Sequence, residues 1–175
     1  MIIMINGSFA VGKTTVAELL VQRLPHSMLY DPEMVGVGLA GIVRSIETFS
    51  DFQDLTIWRP LVVETARMLK QEYGRTLVVP MTLWHRQYFE EIYAGFQKID
   101  RQLHHFCLTA RKETLLKRLA QREHEHIEQA LVWIQERFDR CIAAFESPTF
   151  AIQISTDERT PEEIVRVILD EIFTA

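Results

Sequence analysis

Short apolar runs and helical stripes take turns along the chain. The runs are Ile2-Ile3-Met4-Ile5, Ser27-Met28-Leu29-Tyr30, Thr76-Leu77-Val78-Val79-Pro80-Met81, Phe106-Cys107-Leu108-Thr109 and Phe150-Ala151-Ile152-Gln153-Ile154. Near-continuous apolarity over so few residues predicts strands buried on both faces. Between the first two runs, Val16, Leu19, Leu20 and Leu24 recur at helical spacing, predicting a helix from Thr14 to about Leu24 that stops at Pro25. Gly36, Gly38 and Gly41 make the segment after Asp31-Pro32 pliable, so a weak helix or mobile loop is expected up to about Ser50. A helix from about Arg59 to Tyr73 buries Val62, Ala66, Leu69 and Tyr73 and stops at Gly74. Pro80 is expected to end the third strand, because it cannot donate to a ladder.

Further helices are expected over about His85 to Phe96, Glu113 to Glu123 with Leu115, Leu116 and Leu119 inward, and about Ile127 to Phe145. Thr160-Pro161-Glu162-Glu163 opens the last one as a capping box with proline in the first turn. Strands alternating with helices imply an α/β fold with a parallel sheet, whose ligands gather at the strand C-terminal ends. No repeat or linker interrupts the pattern, so residues 1–175 read as one domain.

Composition narrows the picture. With 175 residues, 47% of them hydrophobic, there is material for one sizeable core. The net charge of −5 lacks the basic footprint of a nucleic-acid binder, and scattered arginines suggest small anionic ligands instead. Cys107 and Cys141 have no metal-type spacing and read as buried, reduced thiols of a cytoplasmic protein. No apolar run is long enough to span a bilayer. The closing helix carries Ile164, Val165, Ile168, Leu169 and Ile172 on one side, but its other side is acidic, so docking on the sheet is a better reading than a membrane surface.

The chemistry concentrates in Gly7-Ser8-Phe9-Ala10-Val11-Gly12-Lys13-Thr14-Thr15, which fits G-x-x-x-x-G-K-[ST] between the first strand and the first helix. In that setting the backbone N–H groups and the helix N-terminus favour an oligophosphate. Lys13 would reach the β- and γ-phosphates, and Thr14 would offer its hydroxyl to Mg²⁺. Asp31, at the end of the second strand, could bind Mg²⁺ through water or accept a hydroxyl proton; equally, Asp before Pro32 is a common turn residue. Glu33 is a second candidate. Arg118 and Arg122 share a helix face that could clamp phosphate or cover a base, or could pair with glutamates at the surface. Arg44, Arg59 and Arg86 lie on the presumed substrate side, Arg59 beside Trp58 and Arg86 near Trp84, a mixture suited to a sugar or nucleobase. The histidines form no metal constellation. Neither an N-K-x-D guanine motif nor a carboxylate closing the third strand is present, which disfavours regulatory GTPases and motor ATPases.

The phosphate loop, the strand-end Asp31, the helix Leu115 to Arg122 and the closing Ile154-Ser155-Thr156-Asp157 resemble the P-loop small-molecule kinases, such as shikimate, gluconate, nucleoside and chloramphenicol kinases. Within that group, Tyr30-Asp31-Pro32-Glu33, Trp58-Arg59-Pro60-Leu61 and Leu108-Thr109-Ala110 look most like the bacterial tunicamycin-resistance proteins. The resemblance implies a three-layer P-loop NTPase sandwich with sheet order 2-3-1-4-5, ATP with Mg²⁺, a substrate-side segment over about 33–60 and a lid over about 118–140. It also implies that Arg118 and Arg122 act in catalysis with Lys13 and Asp31, and that Asp157 and Arg159 lie near adenine. Three uses follow: phosphorylating tunicamycin or a related nucleoside-like molecule, sequestering the drug without turnover, or a metabolic nucleotide or sugar-acid kinase.

Overall fold

The computed structural model describes residues 1–121, 138–145 and 152–174. The apolar runs form β1 (Ile2–Gly7), β2 (Ser27–Leu29), β3 (Thr76–Met81), β4 (Leu103–Thr109) and β5 (Ile152–Ser155). They pair in parallel in the order β2-β3-β1-β4-β5. Between them lie α1 (Lys13–Arg23), α2 (Pro32–Val43), α3 (Trp58–Tyr73), α4 (Arg86–Ile99), α5 (Lys112–Ala120), helical residues 138–145 (α6) and α7 (Pro161–Thr174).

Strand alternation sorts the chain into layers. Ile3 and Ile5 of β1 join Val16 and Leu20 of α1, Leu115 of α5 and Ile164 and Ile168 of α7 on one face. Ile2 and Met4 join Leu39 of α2, Trp58 and Val62 of α3 and Ile92 and Phe96 of α4 on the other. Both faces are therefore dry, which is why β1 is apolar without alternation. The capping box of α7 is present as expected. Thr160 N–H donates to the Glu163 carboxylate at 2.8 Å, and Glu163 N–H donates to the Thr160 hydroxyl at 3.3 Å. Ile164, Val165 and Ile168 are buried against the sheet.

Several expectations give way to packing. Pro80 does not end β3, which continues to Met81. Thr76 N–H bonds His26 O and Val78 O accepts from Tyr30 N–H on the β2 side, whereas Leu77 N–H bonds Met1 O toward β1. Pro80 shares the β2-facing parity of 76 and 78, and β2 has already ended at Leu29, so no ladder bond is lost. Of the two forms expected for the glycine-rich segment, weak helix or loop, it takes the helix: twelve-residue α2, started by Asp31, whose Oδ1 accepts from Glu33 N–H at 2.9 Å, and by Pro32 in the first turn. Gly36 lets the Phe52 ring press onto the helix, where an added Cβ would lie 2.2 Å from a ring carbon. Tyr73 and Leu116, expected inward, are 59% and 45% exposed. The exits of β1, β2, β3 and β4 stand at one edge of the sheet, and this edge carries the site.

Candidate active site

The phosphate loop turns from β1 into α1 at that edge. Gly7 sits at φ 150, and a Cβ there would lie 2.6 Å from the Leu108 carbonyl oxygen of β4, so only glycine lets the loop leave the strand this way. Ala10 is held at φ 61, a left-handed conformation that costs a side-chain-bearing residue about 1–2 kcal/mol and marks local strain at a site. Gly12 caps α1 at φ 104. Lys13 folds back over the loop, its Nζ donating to Ser8 O at 2.9 Å. Beneath lies buried Asn6, whose Oδ1 accepts from Gly7 N–H and Leu83 N–H at 2.9 Å each, while Nδ2 donates to Leu83 O at 3.0 Å. One amide thus locks the loop's root to the exit of β3.

Two clefts share the loop as their common wall. One, of about 270 Å³, is lined by Val11, Thr15, Arg118, Gln121, Arg159, Pro161 and Ile164, and suits a flat base between helix and loop. The other, of about 120 Å³, brings Gly12, Lys13 and Thr14 opposite Asp31, Glu33 and Thr82. The oxygen donors of this smaller cleft are two threonine hydroxyls and two carboxylates, hard oxygens of the kind Mg²⁺ takes together with phosphate and water.

The two carboxylates are not equivalent. Asp31 has one oxygen committed to capping α2. Glu33, in the first turn of the helix, shares the cleft lining with Thr82, the residue after β3. Burial pushes the Glu33 carboxyl above the usual carboxylate range, reinforced by Asp31 and Asp51 and opposed by Lys13. A carboxylate therefore does stand at the end of β3, delivered by α2 rather than by the strand.

The arginines serve as struts as much as ligands. Arg118 donates to Val11 O at 3.3 Å and to Thr156 Oγ1 and O at 2.9 and 3.1 Å, tying the phosphate loop to the segment after β5 while lining the larger cleft. Arg159 lines the same cleft. Asp157 instead accepts from the Thr114 hydroxyl at 2.6 Å and from Arg111 N–H at 2.9 Å, bonds that hold its carboxyl below the ordinary range. Arg59 is 9% exposed, bound through Nε to Glu91 at 2.6 Å and through its terminal nitrogen to Gln53 O at 3.0 Å, with its guanidinium 4.2 Å over the Tyr88 ring. Arg86 pairs with Glu90 on the exposed face of α4, and Arg44 caps the exposed end of α2. Neither lines the clefts. Arg122 and residues 122–137 of the expected lid lie outside the described residues.

A third cleft, of about 250 Å³, was not legible in the sequence. It is lined by Asp51, Gln53 and Asp54 from the turn Phe52–Asp54, by Trp84, His85 and Tyr88 from the start of α4, and by Arg140 of α6. Gln53 donates to Thr82 O at 3.0 Å, and Asp51 acts electrostatically on Glu33, so this cleft adjoins the carboxylate side of the phosphate site. The one available signal was the polar Asp51-Phe52-Gln53-Asp54 between apolar elements.

The fold and the loop together define a P-loop nucleotide-binding protein of kinase-like architecture. The AAA domain family model matches residues 2–148, and the chain belongs to that family. Among solved structures, the chain is similar to the Deinococcus radiodurans tunicamycin resistance protein, with 24% identity, TM-score 0.78 and coverage of 98% of this chain and 94% of that one. It is similar also to a sugar kinase from Janibacter sp. HTCC2649, with 17% identity, TM-score 0.67 and coverage of 96% and 91%. Shikimate kinase from Aquifex aeolicus vf5 follows with 18% identity, TM-score 0.59 and coverage of 98% and 96%. At these identities the likeness is one of fold. No curated protein sequence matches the chain. Among the described residues, no helix is long and apolar enough to cross a membrane.

Proposed function

We propose that the protein is an ATP-dependent phosphotransferase that phosphorylates a hydroxyl of tunicamycin or a related nucleoside-like small molecule. The observation that carries this reading is the cleft in which Lys13 and Thr14 face Asp31 and Glu33 across a gap sized for a phosphoryl group. The base of ATP would enter the larger cleft beside Arg118 and Arg159, with its phosphates running over the loop. Bound Mg²⁺, held by Thr14 and Asp31, would neutralise charge on the phosphates. Lys13 would swing from Ser8 O onto the β- and γ-phosphates.

Glu33, rather than Asp31, is the better proton acceptor, because its raised carboxyl lies closer to neutrality and Asp31 is occupied as a cap. As the acceptor oxygen bonds to the γ-phosphorus, its proton passes to Glu33 and the bond to ADP breaks. Incubation with labelled ATP·Mg²⁺ and tunicamycin is the test: labelled drug is expected, and none at any protein concentration sinks the proposal. Sequestration without turnover is the second reading, favoured by Thr82 standing where many P-loop enzymes end β3 in a carboxylate. Resistance that survives in Glu33→Gln and Asp31→Asn variants would favour it.

A further inference from the structure

We propose that the 250 Å³ cleft beside Glu33 is the acceptor pocket, and that it selects an uncharged or amine-bearing hydroxylated ring over one carrying a carboxylate or phosphate. The inference rests on the transferase reading only in taking this cleft as the acceptor side. Its volume lies just below the usual range of about 300–1,000 Å³ for small-molecule sites, enough for one ring and its substituents.

The lining decides the class. Asp51, whose Oδ1 accepts from Gln53 N–H at 3.0 Å, and Asp54 line the cavity, with Arg140 as the one cation among the described lining residues. Buried Arg59 does not line the cleft: Glu91 neutralises it and Gln53 O and the Tyr88 ring hold it. Arg86 is likewise spent on Glu90 at the surface. Carboxylates accept hydrogen bonds and donate none, so they match hydroxyl and amine groups and repel an acid. The Tyr88 hydroxyl already donates to Asp54 at 3.1 Å, and its ring stacks on His85 at 4.1 Å, fixing this wall before anything binds.

Trp84 supplies the flat surface. One side packs on the Cys107, Cys141 and Phe145 cluster, and the half-exposed remainder lines the cavity, where a ring face can stack. Its indole N–H has no hydrogen-bond partner among the described residues, leaving a donor for a ring oxygen or carbonyl. Aromatic platform, paired carboxylates and one amide side chain form a set that reads hydroxyls on a ring. Arg59 and Arg86, expected on the substrate side beside Trp58 and Trp84, are instead paired with Glu91 and Glu90 and do not line this cleft.

Calorimetry on the full chain, with a non-hydrolysable ATP analogue present, tests the selection using uridine, N-acetylglucosamine and glucosamine against gluconate, shikimate and uridine monophosphate. At least one probe of the first group is expected to bind roughly tenfold or more tightly than every probe of the second. Asp54→Lys should narrow or invert that preference, and Trp84→Ala should weaken ring binding with analogue affinity unchanged. Equal or tighter binding of the acids, or no ring binding up to roughly 10 mM, overturns the proposal. Ring binding with no phosphoryl transfer supports the pocket's selectivity while overturning the transferase reading, so the two failures are distinguishable.

Discussion

The phosphate-loop side and the carboxylate side of the site are built by different means. The first is made largely of one contiguous stretch, Gly7 to Thr15, whose backbone turns from β1 into α1. The second gathers Asp31 and Glu33 from the start of α2, Asp51 to Asp54 from a short turn, and Trp84 and Tyr88 from the entry to α4. Backbone recognition tolerates little change in sequence and announces itself as a motif. Recognition by scattered side chains does not, and its charges can be claimed by the scaffold, as Glu91 claims Arg59.

The largest effect expected is on chemistry, and it separates the two sides. Glu33→Gln should lower kcat by roughly 10²–10⁴-fold with ATP affinity intact, whereas Lys13→Ala should weaken ATP itself by roughly tenfold or more. Paired nucleotide titration and single-turnover transfer would show whether the functions divide so; loss of ATP binding in the glutamine variant would break the comparison.

Next comes a pH effect confined to the α4 side. His105 of β4 is buried among Phe89 and Tyr93, its Nε2 has no hydrogen-bond partner among the described residues, and burial pushes it down to about 4 from 6.5. Between pH 6.5 and about 4 the unfolded chain binds a proton that the folded one refuses. Stability should fall across this window as pH drops, by about 3 kcal/mol at about 1.4 kcal/mol per unit. Denaturation midpoints in His105→Leu should lose that slope.

Arg59 sharpens the distinction between strut and ligand. Arg59→Met should reduce stability by about 2 kcal/mol, since Gln53 O and Glu91 lose a buried donor, and leave ATP affinity unchanged. A variant of undiminished stability with a raised KM for the acceptor would make it a ligand instead. The smallest effect belongs to the nucleotide side's closing helix, where Thr160→Ala should cost about 1 kcal/mol in denaturant melts by removing the α7 cap.

Much of the fold was legible because its cues are local. The apolar runs, the Thr160 box, Gly74 in its left-handed cap at φ 63 and the phosphate loop each act within a few residues. What was not legible shares a cause. Whether the pliable Gly36 segment would be helix or loop was open locally, and it is Phe52, from beyond that helix, that packs onto its glycine. Pro80 looked like a terminator because its effect depends on whether a neighbouring strand is still there to receive a bond.

The alternation of strands and helices, the buried character of the sheet and the position of the phosphate loop were written locally in the chain, because periodicity, caps and glycine-bearing loops are properties of short segments. Which charges are paired with which was settled by packing. Coulomb and desolvation energies depend on distances between residues far apart in the chain. Arg59 was therefore neutralised, Glu33 was brought to the end of β3, and Asp51 and Asp54 were set around Trp84 by packing alone.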